Sequence, residues 1–198
     1  MKKISLLLIC LLAFASTAFS TPISCLTTDA TANGATADSC YGDDAVGDNP
    51  LSEAGFINTQ AGTLADPFVY VAKYDKDDGP ANDGMAGWTL TVTPLEDQPY
   101  SFSYSLIAPQ AYSGQTVSFA LGVKQANNSF VAYIFDAVTL NIDGFYNSTW
   151  LNPRGKEVVD YSHVTAFIQG GTTPVPEPST LLLLGGGLIG LAWFARKK

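Results

Sequence analysis

The chain has 198 residues, 46% of them hydrophobic and only 14% charged, with a net charge of −8. An acidic chain of this kind disfavours nucleic acid phosphates and anionic lipid headgroups as partners. A single histidine, His163, confines any imidazole chemistry to one position.

The first element is Met1-Lys2-Lys3 followed by an apolar run from Ile4 to Phe14. A short positive region ahead of such a run predicts a secretory signal peptide over residues 1–20. The run falls short of the roughly 20 residues a spanning helix needs. Ala18-Phe19-Ser20 places small residues for a cut before Thr21, with Ser16-Thr17-Ala18 as the neighbouring choice. Acylation at Cys10 fits poorly, because Ile9 is bulky and that cut would fall inside the apolar run. All 18 acidic residues but only five of the ten basic ones lie between Thr21 and Pro178, so this portion carries −13. The mean hydropathy of +0.14 is inflated by the two apolar ends.

Residues 21–55 are rich in Ala, Thr, Asp, Asn and Gly and read as an irregular lead-in. Cys25 and Cys40 lie here, an even pair in a compartment that permits disulfides. A bridge would be worth roughly 3 kcal/mol by the loop-entropy argument. A metal site would need more soft ligands than two cysteines and one distant histidine.

From residue 56 to 171 the pattern becomes β-rich. Trp88 to Thr93 alternates large apolar residues with threonine, and Ser101 to Leu106 does the same with serine. Val117, Phe119, Leu121 and Val123 form a third alternating run, and Val131, Tyr133 and Phe135 a fourth. Period 2 with β-branched and aromatic residues predicts strands with one buried face. Phe68 to Lys73 and Val164 to Ile168 are apolar on both faces and are expected to be central. Turn signals such as Asp78-Gly79-Pro80, Asn82-Asp83-Gly84 and Asp143-Gly144 separate these runs. No stretch outside the ends shows a helical period. The expectation is an all-β ectodomain, a single antiparallel β-sandwich or β-meander with one core.

Candidate chemistry is sparse. His163 has Ser162 and Asp160 nearby, but adjacent strand residues point to opposite faces. No Gly-x-Ser-x-Gly elbow is present, so His163 reads as a hydrogen-bonded strand residue. Asp75, Asp77, Asp78 and Asp83 are candidate calcium ligands, or else a solvated turn. Their spacing fails the EF-hand template, since Gly79 and Pro80 occupy its middle positions. Glutamates are too few to suggest a glycosidase pair. Tyr100, Tyr112, Tyr146 and Trp150 could stack on sugars, although aromatics in such a fold usually serve the core. No cofactor is expected.

The last element is the most specific. Residues 172–178 form a proline-bearing spacer that ends in Pro176-Glu177-Pro178. An almost uncharged stretch over 179–195 predicts a transmembrane helix, and Arg196-Lys197-Lys198 makes a basic tail at 196–198. These three parts in order resemble the PEP-CTERM sorting signal of Gram-negative bacteria. The resemblance implies recognition by an exosortase, with cleavage near Pro176-Glu177-Pro178. It implies an inner-membrane precursor with its ectodomain in the periplasm, followed by placement at the cell surface or in the matrix. By association it implies a link to exopolysaccharide and biofilm. Short segments including Cys40-Tyr41-Gly42-Asp43-Asp44 and Ser162-His163 are also similar to a recurrent ectodomain type that precedes such tails, one with no activity to carry over. The expected role is that of a non-enzymatic surface or matrix protein. The alternative is a carbohydrate-binding module for the producer's own polysaccharide, and a hydrolase ranks behind both.

Overall fold

The computed structural model describes residues 23–170, apart from 64, 99, 127–128 and 153–159. The signal peptide, the spacer, the apolar stretch and the basic tail lie outside the described residues, as do Pro176, Glu177 and Pro178.

In chain order the strands are β1 (Ala30–Ala32), β2 (Ala35–Thr36) and β3 (Ser39–Asp43), followed by helix α1 (Pro50–Gln60). Then come β4 (Val69–Asp75), β5 (Gly79–Pro80), β6 (Thr89–Pro94) and β7 (Phe102–Ile107). The last four are β8 (Thr116–Gln125), β9 (Phe130–Thr139), β10 (Thr149–Trp150) and β11 (Tyr161–Gln169). They form a five-stranded sheet in the order β2-β1-β10-β7-β6 and a six-stranded sheet in the order β3-β9-β8-β11-β4-β5. Every pairing is antiparallel. All six strands read from the sequence are present, and the all-β sandwich is confirmed.

Inward residues of the two sheets make the main core. Phe102, Tyr104 and Trp150 from one sheet meet Phe119, Tyr133 and Val164 from the other, all buried. Phe102 stacks on Trp150 at 5.1 Å and Phe119 on Phe135 at 5.6 Å, offset contacts that add about 0.5–1.5 kcal/mol each beyond area burial. A second, smaller core lies on the other face of the six-stranded sheet. There Ile57 and the flanking Phe56 of α1 cover Phe130, Ala132, Ile134 and Phe167. This cover explains why β8, β9 and β11 are buried on both faces, including Gly122 and Lys124. An inserted Cβ at Gly122 would collide with the Thr165 hydroxyl and sit 2.8 Å from the Phe130 ring. Gly122→Ala is therefore expected to destabilise the domain by about 1–3 kcal/mol in urea unfolding.

The lead-in departs from expectation. Residues 21–55 were expected to be irregular, yet they contain β1, β2, β3 and the start of α1. Their side chains bury little area, so these strands depend on distant partners: β1 pairs with β10, and β3 with β9. Asn33 and Gly34 both take positive φ, 49° and 80°, in a two-residue hairpin between Ala32 and Ala35. Helix α1 was not expected either. Asn49 caps it, its side-chain oxygen accepting from Ser52 N at 3.0 Å, and Pro50 sits in the first turn.

Cys25 and Cys40 are disulfide-bonded, with Cα atoms 6.1 Å apart. The bridge links the segment entering β1 to β3, and hence one sheet to the other. Cys25→Ser is expected to lower stability by roughly 3 kcal/mol in urea unfolding of the exported protein. Freshly exported protein should also resist thiol alkylation until reduced.

Candidate functional site

The clearest concentration of buried polar side chains lies between α1 and the six-stranded sheet. His163 and Thr165 on β11 point to the face that α1 covers, as does Lys124 on the neighbouring β8, which pairs with His163. Glu53 comes down from α1 and is 0% exposed. Both its carboxylate oxygens are used: His163 Nε2 lies 2.6 Å from Oε1, and the Thr165 hydroxyl donates to Oε2 at 2.8 Å. With Nε2 facing a carboxylate, the ring carries its proton there. Lys124, 2% exposed, donates to the Val46 carbonyl and pairs with Asp48 at 3.0 Å. A buried hydrogen-bonded group and one Lys–Asp pair thus clamp α1 and the loop before it to the sheet.

Ser162 lies closer to this group than strand alternation suggested. The β8–β11 register skips it, pairing Tyr161 with Gln125 and His163 with Lys124. That bulge swings the Ser162 hydroxyl to 3.4 Å from His163 Nδ1. The resulting Ser–His–Glu order is superficially that of an acyl-transfer triad. However, the serine hydroxyl donates to the Lys124 carbonyl rather than to the ring, and the ring itself is only 5% exposed. The geometry fits a helix clamp, and His163 is the hydrogen-bonded strand residue expected of it.

The four aspartates considered for calcium are not gathered into a site. Asp75 pairs with Lys73 at 2.8 Å, and Asp83 accepts from the Tyr70 hydroxyl at 2.7 Å. Burial, and then the Asp83 carboxylate, push the Tyr70 hydroxyl above its ordinary range, so it remains the donor. Asp77 and Asp78 occupy the turn between β4 and β5. Among the described residues no three His, Cys, Asp or Glu side chains lie together as a metal site. Of the aromatic candidates, Trp150 is fully buried and Tyr112 packs on Trp88 at 5.2 Å. Tyr100 and Tyr146 remain exposed.

Fold and interior define an all-β sandwich domain whose one histidine is built into its packing. Residues 174–197 match the family model of the PEP-CTERM protein-sorting motif. The chain therefore carries the signal of an exported protein sorted by an exosortase. Comparisons with curated proteins and with solved structures find no match. Among the described residues no helix is long and apolar enough to cross a membrane.

Proposed function

We propose that this is a non-enzymatic protein of the cell surface or extracellular matrix, tied to the producer's exopolysaccharide and so to biofilm. The observation that carries this reading is the sorting motif at residues 174–197. In the precursor, the apolar stretch 179–195 anchors the chain in the inner membrane, with the domain in the periplasm. Processing then frees the domain for the surface or the matrix. The single histidine supports the non-enzymatic part, because its ring is only 5% exposed beneath α1. Incubation of the exported protein with exopolysaccharide from its own producer should release no new reducing ends. Sustained release would overturn the non-enzymatic reading. Protease treatment of whole cells should remove the protein, and full protection would place it elsewhere.

A second reading, a carbohydrate-binding module, is favoured by the surface of the five-stranded sheet. That face is lined with hydroxyl groups and contains a groove.

A further inference from the structure

The outer face of the five-stranded sheet has an unusual composition for so acidic a protein. Thr36, Thr31, Thr149, Ser103 and Thr93 are register partners in succession, one row of hydroxyls crossing all five strands. A second row begins with Thr91 opposite Ser105. Members of both rows line a groove of about 350 Å³, whose other lining residues are Tyr104, Phe145, Asn147 and Ser148, with no charged residue among them. Its volume lies at the lower end of ordinary ligand pockets.

The groove is built rather than left over. The strands beneath it are tied from the core side, where the Tyr104 hydroxyl donates to the Thr31 carbonyl at 2.8 Å. Burial holds that hydroxyl well above its ordinary pKa, so it stays a donor. Its wall is the segment between β9 and β10. Asn33 binds this wall at both ends, donating to the Thr139 carbonyl at 3.1 Å and accepting from Tyr146 N at 3.2 Å. Thr31 also donates to the Asn147 carbonyl at 3.1 Å. Gly144, at φ +83°, lets the wall close on Ser105, because a Cβ there would collide with the serine hydroxyl.

We propose that this groove binds a neutral glycan chain; the proposal rests on the carbohydrate-binding reading above and gives it a location. Each hydroxyl keeps acceptor capacity even when its proton is used internally, and the Asn147 amide can donate and accept. Adjacent strands space these groups about 4.8 Å apart, a repeating polar lattice suited to a polyol. An extended peptide would add to a sheet edge instead, and an amphipathic helix would need an apolar groove. A cation would find no carboxylate in this lining, and an anion would find no cation. In a portion of net charge −13, repulsion also disfavours uronate-rich chains. Phe145 lines the groove and adds an apolar patch among the hydroxyls.

The test is calorimetric titration of the exported protein with dextran, galactomannan, cello-oligosaccharides and the producer's own exopolysaccharide, with alginate as the anionic comparison. Thr91→Val/Thr93→Val removes two hydroxyls from exposed positions on β6, and Thr91→Glu/Thr93→Glu adds charge there. Leu51→Glu, on α1 against the other sheet, is the control. The expected result is saturable binding to at least one neutral glycan, weakened roughly tenfold or more in both groove variants and unchanged in the control. Circular dichroism melting curves should show all three variants folded. Binding that survives in folded groove variants would overturn the groove while leaving the carbohydrate reading intact. Binding to alginate alone would overturn the neutral ligand class. No binding to any glycan would overturn both, leaving the surface role to be judged by the protease experiment.

Discussion

Replacing Pro176, Glu177 and Pro178 with alanines should leave export intact and abolish removal of the C-terminal tail. A simple anchor requires only apolar length and basic flanks, so its proline motif would be dispensable. A processing enzyme requires a recognisable segment, and proline resists helix formation by fixing φ and removing a backbone donor. The residues before Pro176 and Pro178 are likewise biased towards extended backbone. The effect is expected to be close to all-or-none. Intact mass of the envelope-associated protein distinguishes the outcomes, because the variant should keep Arg196, Lys197 and Lys198 while the parent loses them. If the parent keeps its tail in a cell with an active exosortase, the proposed processing is wrong.

The second large effect is expected at Glu53. Glu53→Ala leaves the His163 ring and the Thr165 hydroxyl buried without their acceptor, and it opens a void under α1. A buried donor left without its acceptor costs about 1–3 kcal/mol, and two are left here, together a large part of the stability of a domain this size. Glu53→Gln retains an acceptor oxygen and should cost less. Urea unfolding of the exported protein gives both values. A loss near zero for the alanine variant would show that the clamp does not hold α1. Protease cleavage near α1 in folded protein would show that the helix alone is released.

How much could be read from the chain differed by element, for identifiable reasons. Strands β6 and β7 were legible because Leu90, Val92, Phe102 and Tyr104 face one core and their neighbours face water. Strand β8 was placed correctly, but its second face was misjudged, since burial of Ala120, Gly122 and Lys124 depends on α1. The helix escaped because its fully buried positions are Glu53 and Ile57, so a charged residue interrupts the apolar stripe that reveals a helix. The feature that hides α1 is also the feature that anchors it. Asn49 followed by Pro50 was the available signal, a cap residue before a first-turn proline. For β1 and β2 the signal was Asn33-Gly34, the strongest short hairpin pair, although the small flanking residues gave no alternation to support it. The cysteine pairing followed from count and compartment. The hydroxyl groove could not be read, because its row joins residues from Thr31 to Thr149 that only sheet order brings together.

Strand β11 is the last strand among the described residues, yet it lies inside the six-stranded sheet, between β8 and β4. No nascent chain ending before Tyr161 can complete that sheet or bring His163 to Glu53. Only four residues separate Gln169 from the start of the sorting motif at 174. Completion of the six-stranded sheet therefore requires the chain almost up to the sorting motif, so the domain and its address end within a few residues of each other.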